Sequence, residues 1–252
     1  MARRVFRKTG PLSDLARFEA EAEGLNELAA AEALRVPEVY GVGTDAGGAY
    51  IEMERLDLAA PDPDGERRFG AQLAALHRVT ADAFGWHRDN WIGGSPQPNP
   101  RSLDWPAFFR EHRLEFQLAL AAKQGYRGEL ETLGRALASG LDALFGSYRP
   151  VPSLLHGDLW AGNWGMAHGH PVVFDPAVYY GDRETDLAMT RLFGGFGRAF
   201  YAAYEETWPL AAGWERRVAL YQLYHVLNHL NLFGGAYHGQ ALMLLRELTD
   251  QQ

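Results

Sequence analysis

The residues best suited to carry chemistry lie in one stretch, 156–177, which reads HGDLWAGNWGMAHGHPVVFDPA. Asp158 comes two residues after His156, Asn163 comes five residues after Asp158, and Asp175 directly follows a short apolar run. This order is typical of phosphoryl-transfer enzymes of the protein-kinase type, in which a carboxylate faces the accepting hydroxyl and oxygen ligands bind Mg²⁺. We therefore expect Asp158 to be the catalytic carboxylate, with Asn163 and Asp175 as the metal ligands.

Each of these residues also has an ordinary structural explanation. A single Asp in a glycine-containing turn usually forms the turn or caps a helix. The combination favours a functional role, because the three residues occur together with an apolar run before Asp175 and a proline after it. His156 is expected to fix the loop by hydrogen bonds, and proton transfer is the alternative role.

A site of this type also needs a cation for the phosphates of ATP. Lys8 ends a short run of strand-forming residues, and Glu21 follows thirteen residues later in a segment with helical periodicity. A strand lysine that pairs with a glutamate on the next helix would meet this need. Glu19 and Glu23 are also available, and an acidic helix face can simply be solvated.

The elements before residue 56 are expected to run strand, helix, strand, strand. The strands are predicted at 4–8, 39–42 and 49–55, and the helix runs from 13 or 14 to about 34, where apolar residues recur at three- and four-residue steps. Proline and aspartate make 58–65 a predicted linker. A small α/β lobe is therefore expected to precede a separate region.

The rest of the chain is expected to be mainly helical. A long structured loop is predicted at 85–104, because it is rich in Pro, Gly and Asn. Two short strands are predicted at 151–156 and 171–174, with a turn at 168–170 between them. The helices are predicted at 66–79, 105–123 and 128–146, with three more after 185 and a break near 194–197.

The composition excludes several classes of protein. The 252 residues include no cysteine, which excludes a disulfide scaffold, thiolate zinc and a cysteine nucleophile. The net charge of −8 argues against nucleic acid and anionic lipid as partners. No apolar run approaches the length of a membrane helix, and no apolar stretch follows the basic N-terminus as it would in a secretory signal. We expect a soluble, cytoplasmic protein.

Several longer motifs resemble the fructosamine kinase family, whose members are also called ketosamine-3-kinases. The similarity extends from about Val5 to Leu248. The motifs are HGDLWAGN (156–163), FDPA (174–177), YYGDRETDLA (179–188), LFGGF (192–196), DWPAFFREHRLEFQL (104–118) and YQLYHVLNHLNLFG (221–234).

The resemblance implies the protein-kinase-like α+β fold of aminoglycoside phosphotransferases, with a small N-terminal lobe and hinge strand (1–56) and a large helical lobe (57–252). It also implies an ATP- and Mg²⁺-dependent kinase. The substrate would be the 3-hydroxyl of a ketosamine, either a small molecule or a glycated protein lysine. The phosphorylated adduct then decomposes and releases the amine, so that the outcome is deglycation.

The resemblance also assigns roles to individual residues. Asp158 would be the catalytic base, Glu21 would be the partner of Lys8, and Asp186 would brace the catalytic loop from below. The adenine would bind at the hinge, through the backbone of Glu54 to Leu56. The full set is Lys8, Glu21, Met53, Glu54, Arg55 and Leu56 for ATP, Asn163 and Asp175 for Mg²⁺, Asp158 for catalysis, Trp160 for substrate, and His156 and Asp186 for support.

One departure from the family pattern concerns the N-terminus. Family members carry two strands and a glycine-containing loop over the phosphates before the lysine, whereas seven residues precede Lys8 here. We expect either a truncated lobe with weaker ATP binding or a start further upstream. This departure keeps open a pseudokinase that binds nucleotide or sugar without turnover. An aminoglycoside or choline-type kinase is the other alternative, and the sequence leaves the oligomeric state open.

Aromatic residues are the candidates for binding the acceptor. Trp160 lies two residues after Asp158, where an aromatic plane could contact a sugar face. Four other tryptophans are further candidates, and each could instead belong to the core. These four are Trp86, Trp91, Trp105 and Trp164. His225 and His229 have helical spacing but lack further ligands nearby, so packing or substrate contact is expected rather than metal binding.

Overall fold

A computed structural model describes residues 4–250. The strands are β1 (Val5–Gly10), β2 (Val39–Asp45), β3 (Gly48–Glu54), β4 (Asn90–Ile92), β5 (Ser95–Gln97), β6 (Ser153–Leu155), β7 (Trp164–Ala167), β8 (His170–Val173) and β9 (Tyr179–Gly181). The helices are α1 (Leu15–Ala30), α2 (Pro63–His77), α3 (Trp105–Phe109), α4 (Phe116–Lys123), α5 (Glu129–Phe145), α6 (Glu184–Leu192), α7 (Arg198–Thr207), α8 (Trp214–Phe233) and α9 (His238–Asp250).

The N-terminal region is a three-stranded antiparallel sheet with α1 on one face. The strand order is β1-β3-β2, so β1 is an edge strand and Lys8 lies opposite Ile51 of β3. Every second residue of β3 is buried, because one face of the sheet packs on α1. Phe18 and Leu25 of α1 fill this small core with Ile51 and Met53. The predicted order strand, helix, strand, strand is confirmed.

Two boundaries near the linker differ from the prediction. α1 ends at Ala30 rather than near residue 34, because Glu32 adopts a left-handed conformation with φ of 53° that ends the helix. α2 begins inside the predicted linker at Pro63, since the Asp62 side chain accepts a hydrogen bond from the Gly65 N–H at 2.6 Å. An Asp cap followed by a proline is a strong helix start, and the sequence prediction treated both as linker residues.

The remainder is helical around one large core, as predicted. The predicted helix at 105–123 is continuous, although Arg110–Glu115 forms a π-helical segment between α3 and α4. Trp105, Phe109 and Tyr221 meet in the centre of this core, with ring centroids 5.2–6.3 Å apart. The division of the chain into two lobes at residue 56 stays a prediction. Residues 1–3 of the first lobe and 251–252 of the second lie outside the part of the chain that the structure describes.

The strands of the second region differ from the predicted pair. The two predicted strands do not pair with each other: β6 pairs with β9, and β8 pairs with β7. The 168–170 turn therefore connects β7 to β8, where His168 and Gly169 both have positive φ. The structured loop at 85–104 contains the hairpin β4–β5. These strands are only three or four residues long, which is too short for a periodicity of two to be evident in the sequence.

In the described part of the chain, four helices rather than the predicted three follow β9, because α8 and α9 are separate. Gly234 adopts a positive φ of 85° after α8 and interrupts what reads as continuous helical sequence. The predicted break at 194–197 is confirmed between α6 and α7. Within residues 4–250, no helix combines the length and the apolar character that crossing a bilayer requires.

Candidate active site

The loop between β6 and β7 carries the first candidate residues. Gly157 adopts a φ of 83°, and a Cβ at this position would lie 2.0 Å from the carbonyl oxygen of Ala177. Only glycine satisfies both conditions. The Ala177 N–H in turn donates to the His156 carbonyl at 2.8 Å, which holds the loop against the segment that follows β8.

A buried carboxylate fixes this loop from below. Asp186 on α6 accepts hydrogen bonds from the backbone N–H groups of His156 at 2.8 Å and Gly157 at 2.9 Å. His77 of α2 contacts the same carboxylate at 3.1 Å. Burial would raise the pKa of Asp186, but these hydrogen bonds and the nearby imidazoles hold it below its ordinary value. Asp186 is therefore a fixed anion in the position that the sequence prediction gave it.

His156 is buried and its ring is held at both nitrogens. Nε2 contacts the carbonyl oxygen of Phe174 at 3.0 Å, and the Asp158 N–H donates to Nδ1 at 3.3 Å. These partners fit a neutral ring with its proton on Nε2. Burial lowers the pKa of His156, which keeps it neutral. The contacts suit loop support rather than proton transfer.

Asp158 lies at the bottom of a cleft in an environment suited to a base. Burial, together with the negative charges of Asp175 and Asp186, raises the pKa of Asp158 to about 7. Asn163 Nδ2 donates to the backbone carbonyl of Asp158 at 2.9 Å and lies 3.4 Å from its carboxylate. A carboxyl group with a pKa near 7 can accept a proton at neutral pH and release it again.

Asp175 lies directly after β8 in a strained backbone conformation. Its φ of 55° places it in the left-handed region, which aspartate tolerates better than most residues. Lys8 Nζ lies 2.5 Å from Asp175 Oδ1 and 2.6 Å from Glu21 Oε1. Burial would lower the pKa of Lys8, but the two carboxylates outweigh burial and raise it. Lys8 therefore stays charged between Glu21 and Asp175.

The helix that carries Glu21 is tied to the helical region. Glu27 accepts hydrogen bonds from Trp86 Nε1 at 2.6 Å and from the Tyr180 hydroxyl at 2.8 Å. Arg88 pairs with Glu23 at 2.9 Å. These contacts hold α1 so that Glu21 faces Lys8.

Two clefts meet at Lys8 and Asp175. One cleft has a volume of about 410 Å³ and is lined by Asp158, Trp160 and Asn163 as well as by this pair. The second, of about 510 Å³, is lined by the pair and by Met53–Leu56. Of the residues predicted for ATP, Lys8 and Met53–Leu56 thus line the second cleft, whereas Glu21 lines the first together with the catalytic candidate Asp158. The metal candidate Asp175 lines both clefts.

Part of the predicted hinge backbone already forms hydrogen bonds within the protein. The Glu54 N–H donates to the Glu38 carbonyl at 2.8 Å, and the Arg55 N–H donates to the Arg4 carbonyl at 2.9 Å. Within the stretch Glu54 to Leu56, whose backbone is predicted to bind adenine, the Leu56 N–H is the one without a hydrogen-bond partner among residues 4–250. Adenine binding would therefore depend on the Leu56 N–H as donor, with Met53 buried behind it.

The tryptophan candidates separate into two groups. Trp160 and Trp91 line the cleft of about 410 Å³ that contains Asp158, which we name the acceptor cleft after the role expected for it. The other three are core residues, which is the alternative that the sequence left open for them. Trp86 is hydrogen-bonded to Glu27, Trp105 is hydrogen-bonded to Tyr221, and Trp164 stacks on Phe69 at 4.5 Å. His229 also lines the cleft, whereas His225 is buried and burial lowers its pKa to about 3.

Two glycines allow close packing around Trp160 and the loop that carries it. A Cβ at Gly162 would lie 2.3 Å from the Trp160 ring, so the indole folds back over this glycine. A Cβ at Gly195 would lie 2.4 Å from Ala161 Cβ, so the LFGGF segment packs directly on the same loop. The close approach explains both glycines; the sequence prediction placed Gly195 in the break at 194–197 and gave Gly162 no role of its own.

We expect Gly162→Ala to raise the KM for the acceptor by roughly threefold to tenfold, because the added methyl group displaces the Trp160 ring. The KM for ATP should stay within about twofold. Gly239→Ala is the matched control, since a Cβ there meets no atom within 4 Å. Steady-state kinetics with both substrates varied will measure these values. Equal acceptor KM values for Gly162→Ala and the control would contradict the role of the glycine.

Sequence reasoning missed further residues around the clefts. His77 braces Asp186 from 109 positions away, and nothing in the local sequence indicates this contact. Arg17, Asn228 and Phe233 line the acceptor cleft. Asn228 and Phe233 could have been found, because both lie in the motif 221–234 already quoted for the family resemblance.

Comparison with known proteins agrees with this geometry. The sequence model described as fructosamine kinase matches residues 1–251. The chain belongs to the fructosamine kinase family. A Synechocystis protein assigned as a ketoamine kinase is 47% identical over 232 residues, which cover 91% of this chain and 78% of the relative. The chloroplastic protein-ribulosamine 3-kinase of Arabidopsis thaliana is 40% identical over 95% of this chain and 74% of its own length.

Solved structures extend the similarity to the fold. A Haemophilus somnus crystal structure assigned as a fructosamine-3-kinase superposes with a TM-score of 0.90 and 31% identity, covering 97% of this chain and 83% of that one. An ADP-bound aminoglycoside phosphotransferase gives a TM-score of 0.63 at 14% identity, covering 98% and 86%. The predicted α+β, protein-kinase-like fold is therefore confirmed.

Proposed function

We propose that this fructosamine kinase family member transfers a phosphoryl group from ATP to the 3-hydroxyl of a ketosamine, with Asp158 as the base. The observation that carries the proposal is the meeting of two clefts at Lys8 and Asp175, with Asp158 at the bottom of one of them. A hydroxyl bound there would donate its hydrogen bond to the Asp158 carboxylate. The carboxylate then takes the proton as the oxygen gains its bond to the γ-phosphorus, while the bond from that phosphorus to the β–γ bridging oxygen breaks and ADP leaves.

The donor set fits a magnesium ion that is shared with phosphate. Among residues 4–250, no group of three or more His, Cys, Asp or Glu forms a metal site by itself. Mg²⁺ usually takes one or two protein oxygens, and phosphate and water complete its shell. The Asp175 carboxylate and the Asn163 amide oxygen would supply these two ligands, since Asn163 Nδ2 is already bonded to the Asp158 carbonyl. Bound Mg²⁺ would neutralise phosphate charge.

Substitutions of Lys8 and Glu21 test the proposed binding of ATP. We expect Lys8→Ala to raise the KM for ATP by about tenfold or more and also to lower kcat, because the transferring group loses its cation and its alignment. Glu21→Gln should have a milder effect, since Lys8 keeps its charge and its contact with Asp175. Lys123→Ala is the matched control, because Lys123 is the only other lysine in the chain and is exposed. An unchanged KM for ATP in Lys8→Ala would contradict this role.

The finer parts of the proposal concern substrate and location. The proposed substrate is a ketosamine, either a small-molecule adduct or a glycated lysine of a protein. The absence of cysteine fits a reducing cytoplasmic environment, which we include in the proposal.

An acceptor panel tests the proposed function. ADP release should be measured with ribulosyl-lysine, fructosyl-lysine, kanamycin and choline, each with and without Mg²⁺. We expect ADP release that depends on Mg²⁺ with at least one of the two ketosamines, and only background release with kanamycin and choline. Release with kanamycin alone would favour the aminoglycoside kinase. No release with any acceptor, despite ATP binding, would favour the pseudokinase.

A further inference from the structure

Exposed aromatic side chains are concentrated around the acceptor cleft. Phe233 is 66% exposed, Phe193 is 42% exposed and Trp160 is 41% exposed. Trp160 and Phe233 line the cleft, and the Phe193 ring contacts His229, which also lines it. Single exposed apolar residues need no explanation, but a cluster of them marks a binding surface.

Four rings form what we name the aromatic mouth: Phe193, His229, Phe233 and Tyr237. The His229 ring is at the centre, and its centroid lies 5.1 Å from Phe193, 5.4 Å from Phe233 and 5.1 Å from Tyr237. His229 Nδ1 donates to the His225 carbonyl at 2.7 Å, which fixes the ring on α8. The aromatic mouth is therefore held by a helix and not by a free loop.

The aromatic mouth is uncharged. It contains no Asp, Glu, Lys or Arg, and burial lowers the pKa of His229, which keeps the imidazole neutral at neutral pH. Leu232 extends the apolar surface, since its methyl groups lie next to Gly93 and Gly94. Such a surface binds a hydrocarbon chain by removing it from water. The aromatic mouth has no carboxylates that could form ion pairs with the several ammonium groups of an aminoglycoside.

Resting on the proposed function, we propose that the aromatic mouth binds the aliphatic arm of the amine that carries the sugar, such as the side chain of a glycated lysine. The amine of a ketosamine is bonded to C1, close to the 3-hydroxyl that faces Asp158. The aliphatic arm must therefore extend from the sugar along the residues that line the cleft. Phe233 is part of that lining and is the most exposed of the three exposed aromatic residues there.

A comparison of two acceptors that carry the same sugar distinguishes binding of the aliphatic arm from catalysis. One is a short peptide with a single ribulosyl-lysine, and the other is ribulosyl-methylamine, which has no arm. We expect Phe193→Ala and Phe233→Ala to raise the KM for the peptide by roughly fivefold to tenfold. The KM for ribulosyl-methylamine should change by less than about twofold, and kcat should be unchanged with both acceptors.

Two further variants serve as controls. Phe233→Tyr keeps the ring and should keep the KM of the parent protein for the peptide. Met243→Ala removes an exposed apolar side chain from α9 and should change neither KM. If the parent phosphorylates both acceptors and the mouth variants alter both KM values equally, or neither, the inference is wrong and the proposed function stands. If the parent phosphorylates neither these two acceptors nor their fructosyl counterparts, the proposed function fails and the inference fails with it.

Discussion

Replacement of Asp158 by Asn is expected to lower kcat by roughly 100-fold to 10,000-fold, the usual effect of removing a positioned base. The fold and ATP binding should persist, because the Asp158 carboxylate has one side-chain contact, with Asn163 at 3.4 Å, and the loop is held by Asp186 instead. Steady-state kinetics and a thermal melt of both proteins will measure this. Asp142→Asn, which alters an exposed carboxyl on α5, is the control.

The pH dependence gives an independent measure of the same group. The carboxylate is active only when it is deprotonated, and its pKa is raised to about 7. We therefore expect kcat/KM of the parent protein to rise with pH through about 7. The folded state also holds this proton more tightly than the unfolded chain, so Asp158 lowers stability as pH rises from about 4 to about 7. Asp158→Asn should lack both dependences, and near-parental turnover in this variant would remove Asp158 from the role of base.

Replacement of Asp175 by Asn is expected to lower kcat/KM by roughly 100-fold to 10,000-fold, because a metal ligand contributes several kcal/mol to charge stabilisation. Asparagine tolerates the left-handed backbone at this position, so the fold should persist. The variant should also lose the Mg²⁺ dependence of ATP binding, which isothermal titration with and without Mg²⁺ will detect.

Two comparisons make this result specific to the metal. Asn163→Ala should weaken Mg²⁺-dependent ATP binding less than Asp175→Asn does, because an amide oxygen is the weaker ligand of the two. Asp142→Asn should bind ATP and Mg²⁺ as the parent does. If the parent binds ATP equally well with and without Mg²⁺, the proposed metal site is wrong.

Prediction of the fold from sequence succeeded where a pattern is long. The helical spacing in α1 and the alternation in β3 each bury one face, so periodicity alone identifies them. It missed β7 and β9, because they have only four and three residues and β7 is buried throughout, so neither shows an alternation long enough to identify a strand. The start of α2 was missed because Asp62 and Pro63 serve equally well in a linker and in a helix cap.

Sequence spacing correctly indicated which candidate residues lie together where local chain geometry sets the spacing, and their roles stay predictions. Asp158, Asn163 and Asp175 lie on one loop–hairpin unit, so their order along the chain nearly determines their meeting in space. Contacts that depend on packing between distant elements could not be predicted in this way. His77 beneath Asp186 and the ring of Phe193 against His229 both require the complete arrangement of α2, α6 and α8.

The position of the transferred phosphate tests the central claim most directly. The parent protein should be incubated with ATP, Mg²⁺ and ribulosyl-lysine, and the product should be followed by phosphorus–proton correlation NMR. We expect a phosphoester on O3, formed in step with ADP, followed by release of free lysine as the adduct decomposes. Asp158→Asn should form this product at no more than about one-hundredth of the parental rate. ADP formation without an O3 phosphoester, or with phosphate on another oxygen, would contradict the account.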